Sequence, residues 1–412
     1  MARLTLAELP AAVAIYNRYF DSLMDCFVGR EEIVNTLRFA MAQRQHHLIF
    51  GPPGTAKTNL CDVAFGGITG AHQFAIELSM YMSEDALYGP YDVRAMREDG
   101  VLRHRTEGML PEADIARIGE FLDGNMALLR SLLGSLHERR MRRGRQIIDM
   151  PLLTVYADTN CHPGEFLRKN PYAWAVLDRL LFMSDLNYLQ TAEEVSDMLY
   201  RFQSGATNHV TEQLPLELIR QISELVVEPP SLIQDRIIFT KLGEAFTEYR
   251  IQRAALVQGG LKVILPEISD RRLCLATQML EVVAVLAGRL EALPEDMRQC
   301  GLVLGTTHEE YSLWNSIADR KSEEARQARE LRLQNAQALA IDGILQHAAG
   351  IGSGSNTIQV DIETLKALET QLQDTISEND EIEHLKQQAA AKLAEVRRNI
   401  QERVLQEAGV AS

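Results

Sequence analysis

The sequence predicts an α/β fold, a largely parallel sheet flanked by helices, followed by an α-helical second domain and a helical tail. Three observations predict it. Between Cys26 and about Leu186, short apolar runs alternate with helical patterns. The runs are Leu48-Ile49-Phe50, Phe74-Ala75-Ile76, Ile115 to Ile118, Leu152 to Tyr156 and Leu181-Phe182-Met183, and such alternation marks parallel strands joined by helical crossovers. From Thr191 to about Leu304 the strand signals fade. There Ile219, Ile222, Leu225 and Val226, and then Leu273, Ala276, Leu280, Val283 and Leu286, fall at helical spacing. Directly behind the first apolar run, residues 51–58 read Gly-Pro-Pro-Gly-Thr-Ala-Lys-Thr, a glycine-rich turn from strand to helix.

That turn is a complete phosphate-binding loop. Gly51 and Gly54 are needed because successive backbone N–H groups must turn inward on the phosphates, where side chains would obstruct. With Pro52, Pro53, Thr55 and Ala56 they form the cradle, and Lys57 is placed to reach the β- and γ-phosphates. Thr58 supplies a hydroxyl to magnesium, and Asn59 continues the helix whose N-terminal dipole favours anions. The motif therefore implies a nucleoside triphosphate and Mg2+ as ligands.

The chain has 412 residues, which suggests two or three domains. Its formal charge of −15 argues against a protein that coats nucleic acid or an anionic membrane. Cys26, Cys61, Cys161, Cys274 and Cys300 are scattered and form no Cys-x-x-Cys pair, so neither a disulfide framework nor a zinc site is signalled. No apolar run is long enough to span a bilayer, and Glu8 and Pro10 interrupt the only leader-like stretch. The expectation is a cytoplasmic protein without membrane insertion.

Expected boundaries follow. Residues 1–190 form the nucleotide-binding core, with an N-terminal helix and an insert near 79–112; residues 191–310 form the helical lid; and residues 311–412 form a helical hairpin or coiled-coil tail. A joint at Gly350-Ile351-Gly352-Ser353-Gly354-Ser355 separates the last helix. That helix carries Leu365, Leu368, Leu372 and Ile376, then Ile382, Leu385, Ala389, Leu393, Val396, Ile400 and Val404, a narrow apolar seam. The seam fits a docking arm for a partner and equally a hairpin that folds back on its own lid. Arg139, Arg140, Arg142, Arg143 and Arg145 form a basic cluster, read as a solvated surface hairpin in preference to a grip on acidic polymer. His46-His47 point to opposite faces of a strand, which argues against a shared metal, and Cys161-His162 is read as structural.

Groups that would use the nucleotide stand downstream. Glu120 follows the third strand, Asn160 the fourth, Arg179 lies in Leu177-Asp178-Arg179-Leu180, and Arg271 and Arg272 open a helix of the second domain. A carboxylate orients attacking water, an amide holds it, and arginines neutralise charge on the transferred phosphoryl group.

These residues resemble the MoxR family of AAA+ ATPases, and within it most closely the RavA-like branch, over roughly Phe27 to Trp314. The resemblance rests on Phe27-Val28-Gly29-Arg30-Glu31, the Walker A loop, Glu84-Asp85-Ala86-Leu87-Tyr88-Gly89-Pro90 and the run Gly108 to Ile115. Leu177-Asp178-Arg179 and Ser269-Asp270-Arg271-Arg272 complete it. It implies an AAA+ P-loop core with a helical lid, ATP as the nucleotide, hexameric rings, and chaperone-like remodelling of a protein partner with a von Willebrand factor A domain. It further implies that Glu120 polarises water, Asn160 is sensor I, Arg179 is an arginine finger acting on a neighbour's nucleotide, and Arg271 is sensor II, with Arg272 as its alternative.

One departure stands out. In Ile115-Ala116-Arg117-Ile118-Gly119-Glu120, Gly119 occupies the position of the Walker B aspartate that organises magnesium. Asp123 is a candidate replacement, although it lies in the following loop. The expectations are slow ATP hydrolysis or an ATP-driven switch with little turnover. The alternative function is a catalytically weak, nucleotide-gated scaffold whose tail binds the partner. Arg117, in a strand covered on both faces, requires a charge partner.

Overall fold

The computed structural model describes residues 4–5, 7–98, 100–204, 210–227, 235–351, 358–375 and 379–407. Five apolar runs become the strands β1 (His47–Phe50), β2 (Gln73–Glu77), β3 (Ile115–Gly119), β4 (Thr154–Thr159) and β5 (Phe182–Asp185). They form one sheet in the order β2-β3-β4-β1-β5, every neighbouring pair parallel. Because all five run the same way, their C-terminal ends share one edge and their N-terminal ends the opposite one. β1 and β4 are buried along their whole length, as befits central strands covered on both faces, and the polar side chains among them, such as His47 and Asp158, are buried with the rest.

Helices cover the sheet. Leu128, Leu129, Leu132 and Leu136 of helix Met126–His137 join Ala116, Ile118, Val155 and Ala157 of the strands in one core. Between β2 and β3 the chain forms two short helices, Asp85–Tyr88 and Val93–Glu98, and a 3-10 turn at Leu110–Glu112, where the insert is expected. The arginine cluster is a two-stranded antiparallel hairpin, Arg140–Arg143 against Gln146–Asp149. Its charges are largely engaged: Arg140 pairs with Asp149, Arg142 lies 3.1 Å from Glu138, and Arg143 lies 2.7 Å from Glu84 and covers the Tyr88 ring.

After β5 the described residues are mainly helical, with Ala192–Gln203, Leu216–Val227, Arg236–Gln258 and Asp270–Leu286 as the principal elements. Ile219, Ile222 and Val226 are buried, as are Ala276, Leu280 and Leu286. Met1–Ser322 is one compact unit that holds the α/β layers and these helices together, and Glu323–Ser412 is a second.

The second unit has its own core. Ile341, Ile344 and Ala348, from the end of helix His308–Gly350, pack with Leu365, Leu368 and Leu372 of Ile358–Gln373. Ile382, Ala389, Leu393, Val396 and Ile400 of Asp380–Glu407 complete the cluster. The seam expected on one last helix is therefore split over two, and these helices cover it themselves. Val404 alone of its named positions is exposed among the described residues. Ile376 and residues 352–355 of the joint lie outside the described residues.

Candidate phosphate-binding site

The loop after β1 is shaped by steric necessity. A Cβ on Gly51 would lie 2.0 Å from the Leu186 carbonyl oxygen, so the chain that leaves β5 passes where any side chain would begin. Gly54 has φ +79°, and Ala56 holds φ +68° without the glycine that such a conformation favours. Helix Lys57–Gly66 starts immediately afterwards, with Thr58 and Asn59 exposed in its first turn. Lys57 is folded over the loop: its Nζ donates to the carbonyls of Gly51 at 2.8 Å and Pro52 at 2.9 Å, and to Asn160 Oδ1 at 2.8 Å. Burial holds the Lys57 pKa below its ordinary value, against the pull of Asp158 and Glu120.

Asn160 and Glu120 complete a continuous line. The Asn160 amide donates to Glu120 Oε1 at 2.5 Å, so an ammonium, an amide and a carboxylate follow one another across the ends of β1, β4 and β3. Glu120 sits at φ +47°, a left-handed conformation that directs its carboxylate back over the sheet edge. The geometry can hold a phosphate chain on the loop N–H groups and Lys57, with Glu120 and Asn160 flanking a water.

Beneath this line lies a charge network that sequence reasoning only half anticipated. Arg117 finds its expected partners: Nη1 donates to Glu77 Oε1 at 2.6 Å and lies 3.8 Å from Asp158 Oδ1, and Nε lies 3.4 Å from Asp62. Burial raises the Asp158 pKa to about 6, with Glu77 and Glu120 adding to the rise and Arg117 and Lys57 opposing it. Asp123 is the exposed last residue of a 3-10 turn after Glu120 whose Phe121 and Leu122 are buried. Glu77, at the end of a half-exposed strand, gave no sequence signal; only the pairing of β2 with β3 brings it to Gly119.

Arg179 and Arg271 do not join the line. Arg179 precedes β5 and therefore stands at the N-terminal edge of the sheet, opposite Lys57. Its Nη1 donates to the Ala175 carbonyl at 2.5 Å. Arg271 is at the same edge, where its Nη1 donates to the Asp178 carbonyl at 3.0 Å. Arg272, left open as an alternative, is fully buried and donates to the carbonyls of Leu180, Leu181 and Val303. It fixes the helix to the sheet and is shielded from any nucleotide.

The histidines and cysteines are structural in geometry. His46 Nε2 donates to the Leu136 carbonyl while Nδ1 accepts from Val155 N–H, and His47 pairs with Ser184 Oγ. His162 Nδ1 accepts from Gly164 N–H. All five cysteines are free. Among the described residues no three His, Cys, Asp or Glu side chains converge as an all-protein metal cage, and no helix is long and apolar enough to cross a membrane. Magnesium in a phosphate site does not require a cage, because the phosphates, a threonine hydroxyl, water and one or two carboxylates suffice.

Residues 15–226, more than half of the chain, match the family model described as the MoxR domain in the MoxR-vWA-beta-propeller ternary systems. Two uncharacterized proteins of Methanocaldococcus jannaschii are 25% and 24% identical over 277 residues, which is 67% of this chain and 66% and 68% of theirs. A structural protein of the Acidianus two-tailed virus is 23% identical over 200 residues, 47% of this chain and 32% of that one. The chain thus spans about two thirds or less of the length of these relatives. The crystal structure of a candidate ATPase from Cytophaga hutchinsonii superposes with a TM-score of 0.57 at 15% identity, covering 76% of this chain and 95% of that one. At that identity it shows the fold.

Proposed function

The chain belongs to the MoxR family, and from that premise we propose that it is a ring-forming AAA+ ATPase that remodels a protein partner. The single observation that supports this most is the division of charged groups between the two edges of the sheet. Lys57, Asn160 and Glu120 stand at one edge in hydrogen-bonded sequence. Arg179 and Arg271 stand at the other, where each donates to a backbone carbonyl of the segment that leads into β5. Arginines so placed serve phosphoryl transfer only from a neighbouring subunit, and a closed ring supplies every site with one.

In this reading the loop N–H groups and Lys57 bind the phosphates of ATP, and Thr58 holds Mg2+. Magnesium held there would supply positive charge against the charge that develops on the phosphates. Glu120 orients the water and Asn160 senses the γ-phosphate, while Arg179 and Arg271 act across the subunit boundary. A hexamer, a cytoplasmic setting and a von Willebrand factor A domain partner belong to the same proposal. The partner is supported by the matched family, which is described from ternary systems containing such a domain. The RavA-like likeness remains a proposal from the motifs around Glu84–Pro90 and Ser269–Arg272.

Gly119 favours a second reading, a nucleotide-gated scaffold with little turnover. Magnesium-dependent phosphate release, measured beside sedimentation with and without ATP, separates the two. A ring assembled by ATP that releases phosphate supports the remodelling ATPase. ATP-driven assembly without phosphate release supports the scaffold, and an ATP-indifferent monomer removes both.

A further inference from the structure

Glu77 and Gly119 are directly paired neighbours on β2 and β3. A Cβ built on Gly119 would lie 1.8 Å from Glu77 Oε2 and 2.4 Å from its carboxyl carbon, so the Glu77 carboxylate already occupies the space where a side chain at position 119 would start. Neighbouring strands are about 4.8 Å apart, a distance that a glutamate side chain spans.

We infer that Glu77 is the carboxylate that positions magnesium in this chain, reaching across from β2 into the place that Gly119 leaves open; the inference rests on the nucleotide-binding function proposed above. The face is the correct one. Residues two apart on a strand share a face, so Gly119 lies above Arg117, whose Nε contacts Asp62 of helix Lys57–Gly66. Thr58 is one turn nearer the loop on that same helix. Glu77 is half-exposed, and among the described residues only its Oε1 is engaged, by Arg117, which leaves Oε2 available.

A second, independent feature points to a cation. Asp158, at the end of β4 on the other side of Gly119, is 4% exposed, and its Oδ1 has no hydrogen-bond partner among the described residues. That oxygen lies 3.8 Å from the same Arg117 nitrogen that holds Glu77. Two carboxylates thus flank Gly119, one buried and one open to solvent, and a third at position 119 would crowd like charges into one volume. Glycine there makes room for Glu77.

The test uses the full chain with ADP and Mn2+, whose spectroscopic signal reports binding without turnover. Glu77→Gln keeps the shape and should weaken Mn2+ in the ADP complex by about tenfold or more, in the range typical of lost positioning groups. ADP affinity in EDTA should not change. The relocated pair Glu77→Ala with Gly119→Asp should recover Mn2+ affinity to within about threefold of the original, because the carboxylate returns by the other strand. Unchanged Mn2+ affinity in Glu77→Gln, accompanied by a lower melting temperature, would overturn the inference and leave Glu77 as the ion-pair partner of Arg117 alone. Failure of the relocated pair to recover Mn2+ affinity while it still binds ADP would overturn it as well. Absence of ADP binding in the unaltered chain would instead remove the function on which the inference rests.

Discussion

Arg272 is fully buried with its Nε 3.5 Å from Asp178 Oδ1, and the same carboxylate accepts from Ser269 Oγ at 3.1 Å. Ser269 also caps helix Asp270–Leu286 by accepting from Arg272 N–H. Two motifs distant in sequence, Leu177-Asp178-Arg179 and Ser269-Asp270-Arg271-Arg272, are therefore one structural joint. Removing one partner of a buried pair leaves an uncompensated charge, at a cost of about 3 kcal/mol or more. Asp178→Ala should destabilise the first unit by that amount in urea unfolding. Arg271→Ala, whose guanidinium is only half-buried, should change stability by less than about 1 kcal/mol while lowering phosphate release. Equal stability of both variants would mean that Asp178 is not the anchor.

Lys57→Ala should abolish ATP binding, because the ammonium supplies the charge-assisted contact to the β- and γ-phosphates. The three acceptors that Lys57 now satisfies, Gly51 O, Pro52 O and Asn160 Oδ1, remain open to water in the variant, so folding should survive. Calorimetric titration decides it: an unchanged ATP affinity would remove the loop from the site.

Arg179→Ala should retain ATP binding and lose hydrolysis, because its position at the far edge of the sheet permits action only on a neighbour. Glu120→Gln should lose hydrolysis at its own site. Mixed in equal amounts, the two inactive variants should recover part of the original activity, since some boundaries then combine an intact Glu120 with an intact Arg179. If no mixing ratio exceeds either parent, action across the boundary fails.

His46 gives a pH dependence. Both ring nitrogens are committed in the neutral form, and burial, with Arg139 and Arg271 adding, pushes its pKa down to about 3; burial does the same to His47. In the unfolded chain both titrate near the ordinary value of about 6.5. Between these values the unfolded state binds more protons, so stability is complete above about pH 6.5 and falls as pH drops toward 3. At pH 5 each histidine should remove roughly 2 kcal/mol relative to pH 7.5. The raised pKa of Asp158 works in the opposite direction over this range, so the test is the difference between variants: His47→Asn should lose roughly 2 kcal/mol less than the unaltered chain when urea unfolding of the first unit is compared at both pH values. A slope unaffected by His47→Asn would mean that this ring is hydrated in the folded protein.

The central strands were legible because a parallel sheet covered on both faces leaves short apolar runs such as Leu48-Ile49-Phe50, and the half-exposed β2 because Phe74-Ala75-Ile76 falls in the same alternation with helical patterns. The phosphate loop was legible because its glycines and lysine answer local geometry. Glu77 was not legible, since its place beside Gly119 depends on which strands pair, and β2 looks like any short half-polar strand. Arg272 was hidden for a related reason: adjacent arginines at a helix start are equivalent until packing buries one. The tail seam was visible, yet a seam does not say whose helix fills it. The structure supplies the helices Ile358–Gln373, Asp380–Glu407 and the end of His308–Gly350.

The core those helices form decides where the tail can be cut. Deletion from Gly350 onward removes Leu365 to Ile400 but strips the cover from Ile341, Ile344 and Ala348, which are buried only within the second unit's core. An exposed stripe of this kind seeks another helix and should drive aggregation. Deletion from Glu323 onward instead removes the second unit whole, and the first retains its own core around Leu129, Leu132 and Val155. The shorter chain should therefore bind ATP as the full chain does, since Lys57, Asn160 and Glu120 all lie in the first unit. Capture of a purified von Willebrand factor A domain, compared between the two chains, then reports what the second unit contributes. If the chain ending at Ser322 loses nucleotide affinity or fails to fold, the two units are not energetically separable. If it binds ATP and captures the domain undiminished, the tail is not the docking element.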